Sequence, residues 1–455
     1  MVLTRVNISS IRYKFKDFIY TNLSLIWYDK TGFKLFLLTL LIYSFSISHY
    51  YAPDESSYWL LTVSVTDFNT LYIDQAMEMY TPWKLDLKMG IASYDGHYYA
   101  KTPPGQSFIA IPFFLIGKGI FIVLLSFGMT FSYLSVTYIT MAMLSSISAA
   151  LAVNLFYKLL IELEVDAISS LLTSITLAFG TTSWVYGKTF YSHSLSMFLN
   201  FLGLYLVISA TRYRKINRYF LAGIVIGIAI TVRTANILLG IPILVYLIIK
   251  AQKPQTLIYL IIGTIPALSL LLFYNFLCFD DPLVMGYQYD PLYDYSSISS
   301  TFSTNPLVGA YGLLFSTGSG LFVYSPILIL SIPGFYYFFK SNKEEAILFA
   351  LISLATLSFY SAYTWWPGNA FGPRYLTDIL PVIVLPLGKT LEKFSSNKYF
   401  WILFCILLGF SIFTQVIGVL TSPLVGTHEY ILPGKINDLT RNGPDILIYN
   451  LIKKY

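Results

Sequence analysis

The chain has 455 residues, of which 56% are hydrophobic and 18% aromatic; only 11% are charged, and the net charge is +6. Soluble domains carry about 25% charged residues, so an ordinary water-soluble enzyme is excluded. Several apolar runs of about 20 residues define a polytopic α-helical membrane protein, and the alternating ten-residue strands of a β-barrel are absent. No polar segment is longer than the first loop, residues 51–105, and no GxxxxGK[ST] phosphate loop occurs, which leaves no place for a nucleotide-binding domain.

Residues 1–32 carry Arg5, Arg12, Lys14, Lys16 and Lys30. The positive-inside rule places them in the cytoplasm, and with no small-residue cleavage site the run 33–51 is a retained first span. The polar loop that follows therefore lies outside. It opens with Pro53-Asp54-Glu55 and closes with YDGHYYAKTPPG, which holds His97 and Lys101. Segment 106–129 is apolar enough to span, but counting it as a span would put the basic cluster RYRKINRY, 212–219, outside. Its Pro112 and Gly117-Lys118-Gly119 also suit a lipid-facing helix poorly. It is expected to be a re-entrant or interfacial helix within a first outer loop of 52–130.

The remaining spans are expected near 131–158, 167–187, 191–210, 219–232, 236–250, 256–277, 321–339, 345–363, 373–391 and 399–420. The fold class is thus an all-α integral membrane protein of about 11 transmembrane helices, with a long first extracytoplasmic loop that contains interfacial or re-entrant helices. The membrane domain covers 33–420, the second outer loop 278–320, and an outer tail 421–455. Multi-pass insertion in the plasma membrane is expected. Spans 219–232 and 236–250 are short, about 21–23 Å each against a hydrocarbon core of ~30 Å. Arg233 between them must reach an outer aqueous cavity. Cys278 and Cys405 show no metal-ligand spacing, and no disulfide is expected.

One side of the membrane then gathers Asp54, Glu55, His97, Lys101, His193, Arg233 and Arg374. Each has a bland alternative. The carboxylates can cap an interfacial helix, the histidines can serve as interfacial hydrogen-bonding groups, and Arg374 in FGPRYL can anchor a helix start behind Pro373. Trp365-Trp366 reads as interface belt. As a set they match sugar transfer from a lipid-linked phosphate. The acceptor hydroxyl needs a carboxylate base, and the phosphate leaving group needs cations rather than a general acid. Adjacent Asp54 and Glu55 do not share a helix face, so they are not a glycosidase pair. No HExxH or paired-histidine spacing specifies a metal, and Mg2+ or Mn2+ is left open.

The loop opening Asp54-Glu55-x-x-Tyr58 and its Lys101-Thr102-Pro103-Pro104 close resemble the GT-C glycosyltransferases. The likeness is to the branch of protein O-mannosyltransferases and aminoarabinose lipid A transferases. Thr102 interrupts the Lys-Pro-Pro pattern, and Ser57 stands where that branch often has arginine. Asn275, Phe279 and Pro282, the GLFVYSP run from Gly320 and the FGPRYL box extend the likeness over most of the chain. The resemblance implies a polyprenyl (dolichyl)-phosphate sugar donor, a glycan, lipid or protein acceptor, and an extracytoplasmic active site. Asp54 is the implied base, with Glu55 beside it as a positioning or metal-contacting group; Lys101 and Arg374 are implied phosphate ligands. Tyr58, His97, His193 and Arg233 complete the expected substrate-binding set. Membrane lipids are the other partners, and no nucleic acid is expected. The alternative is a transporter or lipid flippase, which requires polar residues deep in several spans.

Overall fold

A computed structural model describes residues 30–48, 53–80, 90–292, 294–368 and 370–420. The basic segment 1–29 and the tail 421–455 lie outside the described residues. The labelled helices are α1 (Lys30–Ser46), α2 (Pro53–Val63), α3 (Asp74–Tyr80), α4 (Gly105–Ser126), α5 (Tyr133–Glu162), α6 (Ala167–Phe179), α7 (His193–Tyr213), α8 (Ile216–Val232), α9 (Gly240–Ile249), α10 (Pro254–Phe279), α11 (Pro306–Phe315), α12 (Ser331–Ser341), α13 (Lys343–Ala362), α14 (Leu387–Lys393) and α15 (Lys398–Leu420). Among the described residues the one sheet is the hairpin β1 (Ile91–Tyr94) and β2 (His97–Ala100). The all-α membrane class stands.

The expected spans are largely helical over their described residues; two are broken where proline removes the backbone N–H that a continuous helix needs, and 167–187 is broken at residues 180–182. The run 373–391 forms a 3-10 turn at Arg374–Ile379, a short helix at Leu380–Val384 with Pro381 in its first turn, and α14, which begins after a break at Leu385-Pro386. The run 321–339 breaks at Ser325-Pro326 before α12. Arg233 sits in extended backbone between α8 and a 3-10 turn, Thr234–Leu239.

Helices α5 and α7 form the buried centre of the bundle. Against them, α8 and α10 cross at glycines: a Cβ on Gly223 would lie 2.0 Å from the Leu260 carbonyl, and one on Gly263 2.2 Å from the Phe220 carbonyl. Small residues four apart (Gly223 and Gly227, Gly263 and Ala267) let two backbones meet where lipid offers no hydrophobic drive for association.

Six helices among the described residues are long and apolar enough to cross a membrane, and α4 is one of them. It is a single uninterrupted helix and does not turn back on itself, which corrects the re-entrant option. Its contacts nevertheless keep it at one end of the bundle. Gln106 donates to the Phe190 carbonyl at 3.1 Å, and Phe190 touches Tyr138. Gly117 packs on Thr137 and Thr140, and Lys118 pairs at 2.8 Å with Asp67, which also accepts from Tyr133. All of these lie at the Tyr133 end of α5. The other end of α5 meets Tyr205 and Arg212 through Glu162.

In a background lacking Cys278 and Cys405, single cysteines at the exposed Ser93 and Asn217 are expected to label from opposite sides of intact cells. Labelling of both from outside would show that α4 crosses the membrane and would invert the bundle that follows it.

Candidate active site

Helix α2 begins with two carboxylates in its first turn, where the helix N-terminus favours negative charge. They point to different surroundings. Glu55 is fully buried and accepts from the Phe190 N–H at 2.7 Å and from the Tyr138 hydroxyl at 2.8 Å. It ties α2 to the start of α7 and to α5, contacts that suit a positioning group. Glu55→Gln keeps the accepting oxygen and is expected to change little. Glu55→Ala leaves two buried donors without it and should lower stability by about 1–3 kcal/mol for each orphaned group, read as the thermal midpoint in detergent.

Asp54 remains partly open. Its Oδ2 accepts from Arg374 Nη1 at 3.1 Å across 320 residues of sequence, while its Oδ1 has no hydrogen-bond partner among the described residues. Burial pushes this carboxyl up, but the charges of Arg374, Lys101, His193 and Arg233 more than offset it and hold it below the ordinary 3.8. The carboxylate is therefore ionised at neutral pH.

Arg374 follows Gly372, whose φ of +63° turns the chain into the 3-10 segment. Its Nη2 donates to the Tyr375 hydroxyl at 3.0 Å, and its guanidinium lies 4.8 Å from the Tyr375 ring and 5.7 Å from that of Tyr191. Arg233 lies 5.8 Å from the same Tyr375 ring, so one aromatic side chain serves both arginines. Arg233 Nε pairs with Asp378 Oδ2 at 2.8 Å, and its Nη2 donates to the Tyr360 hydroxyl at 3.0 Å. Asp378 Oδ1 also holds His193 Nδ1 at 2.8 Å, and His193 Nε2 lies 3.4 Å from Arg233 Nη1. An arginine only donates. That geometry assigns the His193 proton to Nδ1, facing Asp378, and leaves Nε2 as acceptor.

Lys101 directly follows β2 and pairs with Asp290 of the second outer loop at 2.8 Å, with both side chains buried. It stands 5.9 Å from the Tyr287 ring. The second loop closes on it because Gly286 has no side chain: a Cβ there would sit 2.8 Å from the Lys101 carbonyl. Tyr58 is buried beside the start of α7, with its hydroxyl donating to Ser192 at 2.9 Å.

The structure thus gathers Asp54, Tyr58, Lys101, His193, Arg233 and Arg374 at one end of the bundle. His97 is not among them. It is half exposed on β2, stacked at 4.6 Å on Tyr72 and 3.5 Å from Asp74. Trp366 is buried against Gly312, so it is not interface belt. Asp378 was missed in the sequence, although it lies four residues past Arg374 and two past the end of the FGPRYL box. No group of three His, Cys, Asp or Glu side chains fit to hold a metal occurs among the described residues.

No protein-family model matches the chain, and no curated protein sequence matches it. Among solved structures it is similar to ArnT from Cupriavidus metallidurans, solved bound to undecaprenyl phosphate. The TM-score is 0.54 at 16% identity, covering 89% of this chain and 68% of that one. The chain therefore shares the overall fold of that structure.

Proposed function

We propose that this protein is an inverting membrane glycosyltransferase that moves one sugar from a polyprenyl-phosphate donor to a hydroxyl acceptor. The observation that carries the reading is the pairing of Asp54 with Arg374 at 3.1 Å, beside Lys101 and Arg233, in a GT-C fold. A carboxylate and several cations with an open carboxylate oxygen are what this reaction asks for. The ArnT structure contains a polyprenyl phosphate, which supports the same class of donor here.

In the mechanism, Asp54 Oδ1 accepts the proton of the acceptor hydroxyl as that oxygen attacks the anomeric carbon. A carboxylate this acidic is a weak base, but the hydroxyl grows more acidic as its new bond forms. The bond from the anomeric carbon to the phosphate oxygen breaks on the opposite face. The electron pair stays on the phosphate, where Arg374, Lys101 and Arg233 stabilise it. Arg374 then links the two halves of the reaction, holding the base while facing the leaving group. Asp290 pairs with Lys101 and Asp378 with Arg233, so a donor phosphate would share these cations with the two carboxylates. Buried ion pairs stand at the ends of the helices rather than along a path through them, which is why a transporter is not favoured.

The test is to incubate membranes containing the protein with a panel of radiolabelled polyprenyl-phosphate sugars. Label should leave the lipid fraction for one of them and polyprenyl phosphate should accumulate. Label that crosses the bilayer while still attached to lipid would contradict the reading and identify a flippase.

A further inference from the structure

The arginine that faces Asp54 owes its position to a residue that touches neither partner. The segment Trp365-Trp366-Pro367-Gly368 is pinned from behind. The Trp366 ring fills the space where Gly312 lacks a side chain, with a Cβ there falling 2.1 Å from the ring. Ser319 donates to the Pro367 carbonyl at 3.0 Å, and the Gly368 N–H closes a turn on Trp365 at 2.9 Å. Gly368 is buried and has φ +71°. A Cβ at this position would meet Arg374 Nε at 2.9 Å, Cδ at 3.0 Å and Cγ at 3.1 Å.

The arginine runs along the bare face of this glycine with the rings of Tyr375 and Tyr191 also against it. Its two fork nitrogens are committed to Asp54 and the Tyr375 hydroxyl. The glycine is braced by buried Trp366, so a methyl group at 368 moves the arginine and not the loop. We infer that Gly368 is a positioning residue for Arg374, setting where the guanidinium meets an incoming phosphate. This rests on the reading of Arg374 as a phosphate ligand.

The experiment titrates the purified full-length protein in detergent with undecaprenyl phosphate and compares dissociation constants. Loss of a hydrogen bond to a charged group is worth about tenfold to a hundredfold in binding. Arg374→Ala is therefore expected to weaken binding at least about tenfold, and Gly368→Ala to approach the same loss. Alanine also strains a positive φ, whereas asparagine tolerates it. Gly368→Asn separates the two effects and should lose binding like alanine, and it carries the test if the alanine variant fails to fold. Gly96→Ala is the control, with φ +78° and open space around it, and should bind normally. The double variant Gly368→Ala with Arg374→Ala should bind no worse than Arg374→Ala alone, since the crowded side chain is gone.

Binding within twofold of wild type in both Gly368 variants, with Arg374→Ala impaired, overturns the inference. So does a double variant whose loss is the product of the two single losses. Normal binding by Arg374→Ala, or no binding by wild type, instead overturns the reading of the site on which the inference rests.

Discussion

Asp54→Asn is expected to abolish detectable sugar transfer while the protein still inserts and folds. General-base help is worth about 10²–10⁴ in rate, and asparagine keeps the size of the side chain while removing its basicity. It also removes the negative partner of Arg374 at 3.1 Å. That change should leave donor binding intact or tighten it, because the arginine no longer divides its charge between the carboxylate and the phosphate. Loss of turnover with retained binding is the signature of a base, and a structural ion pair would show the reverse. The pH profile gives a second check. The Asp54 carboxyl is held below 3.8 in the folded protein, so transfer should not fall on acidification until below about pH 4. A half-maximal rate near pH 6 would assign the acid limb to another group.

Arg374→Ala is expected to lower turnover by about 10²–10³, or about 2.7–4 kcal/mol, the usual loss for one preorganised donor at a developing oxyanion. Arg374→Lys should recover only part of it. A lysine supplies the charge but not the planar fork that reaches Asp54 and Tyr375 together. Because Arg374 is the largest of the charges holding the Asp54 carboxyl down, its removal should also move the acid limb of the profile to higher pH. A bland helix-end anchor would alter stability modestly and leave the pH profile where it was. Transfer within about twofold of wild type in the alanine variant, at matched protein levels, would take Arg374 out of the site.

The parts of this molecule that were legible in sequence are those in which one residue type answers one constraint. Apolar runs long enough for a bilayer gave the bundle, and charge outside the runs gave its alternation. Asp54, Lys101 and Arg374 were found through short motifs, and Arg233 through the cost of an unaccompanied arginine between two short spans. The structure supplies the partner for that arginine, Asp378, whose side chain turns inward from a broken helix. Hydropathy read 373–391 as one regular span, and on a regular span an aspartate has no reason to face the site. The hairpin was missed although Asp95-Gly96 carries its signature, with φ of 47° and 78° at the two turn residues. It is this hairpin, and not a long irregular loop, that delivers Lys101. The motif separates Asp54 from Glu55 by role, and the structure adds the geometry. The step of about 100° between successive helix residues sends one into the core and leaves the other open.

The most direct test of the central claim uses purified protein in liposomes, with the cognate labelled polyprenyl-phosphate sugar and its acceptor. The anomeric configuration of the product is then determined by NMR for wild type and sought for Asp54→Asn. The account predicts a product inverted relative to the donor, formed by wild type and absent from Asp54→Asn. A product that retains the donor configuration, or undiminished transfer by Asp54→Asn, would contradict direct attack assisted by Asp54.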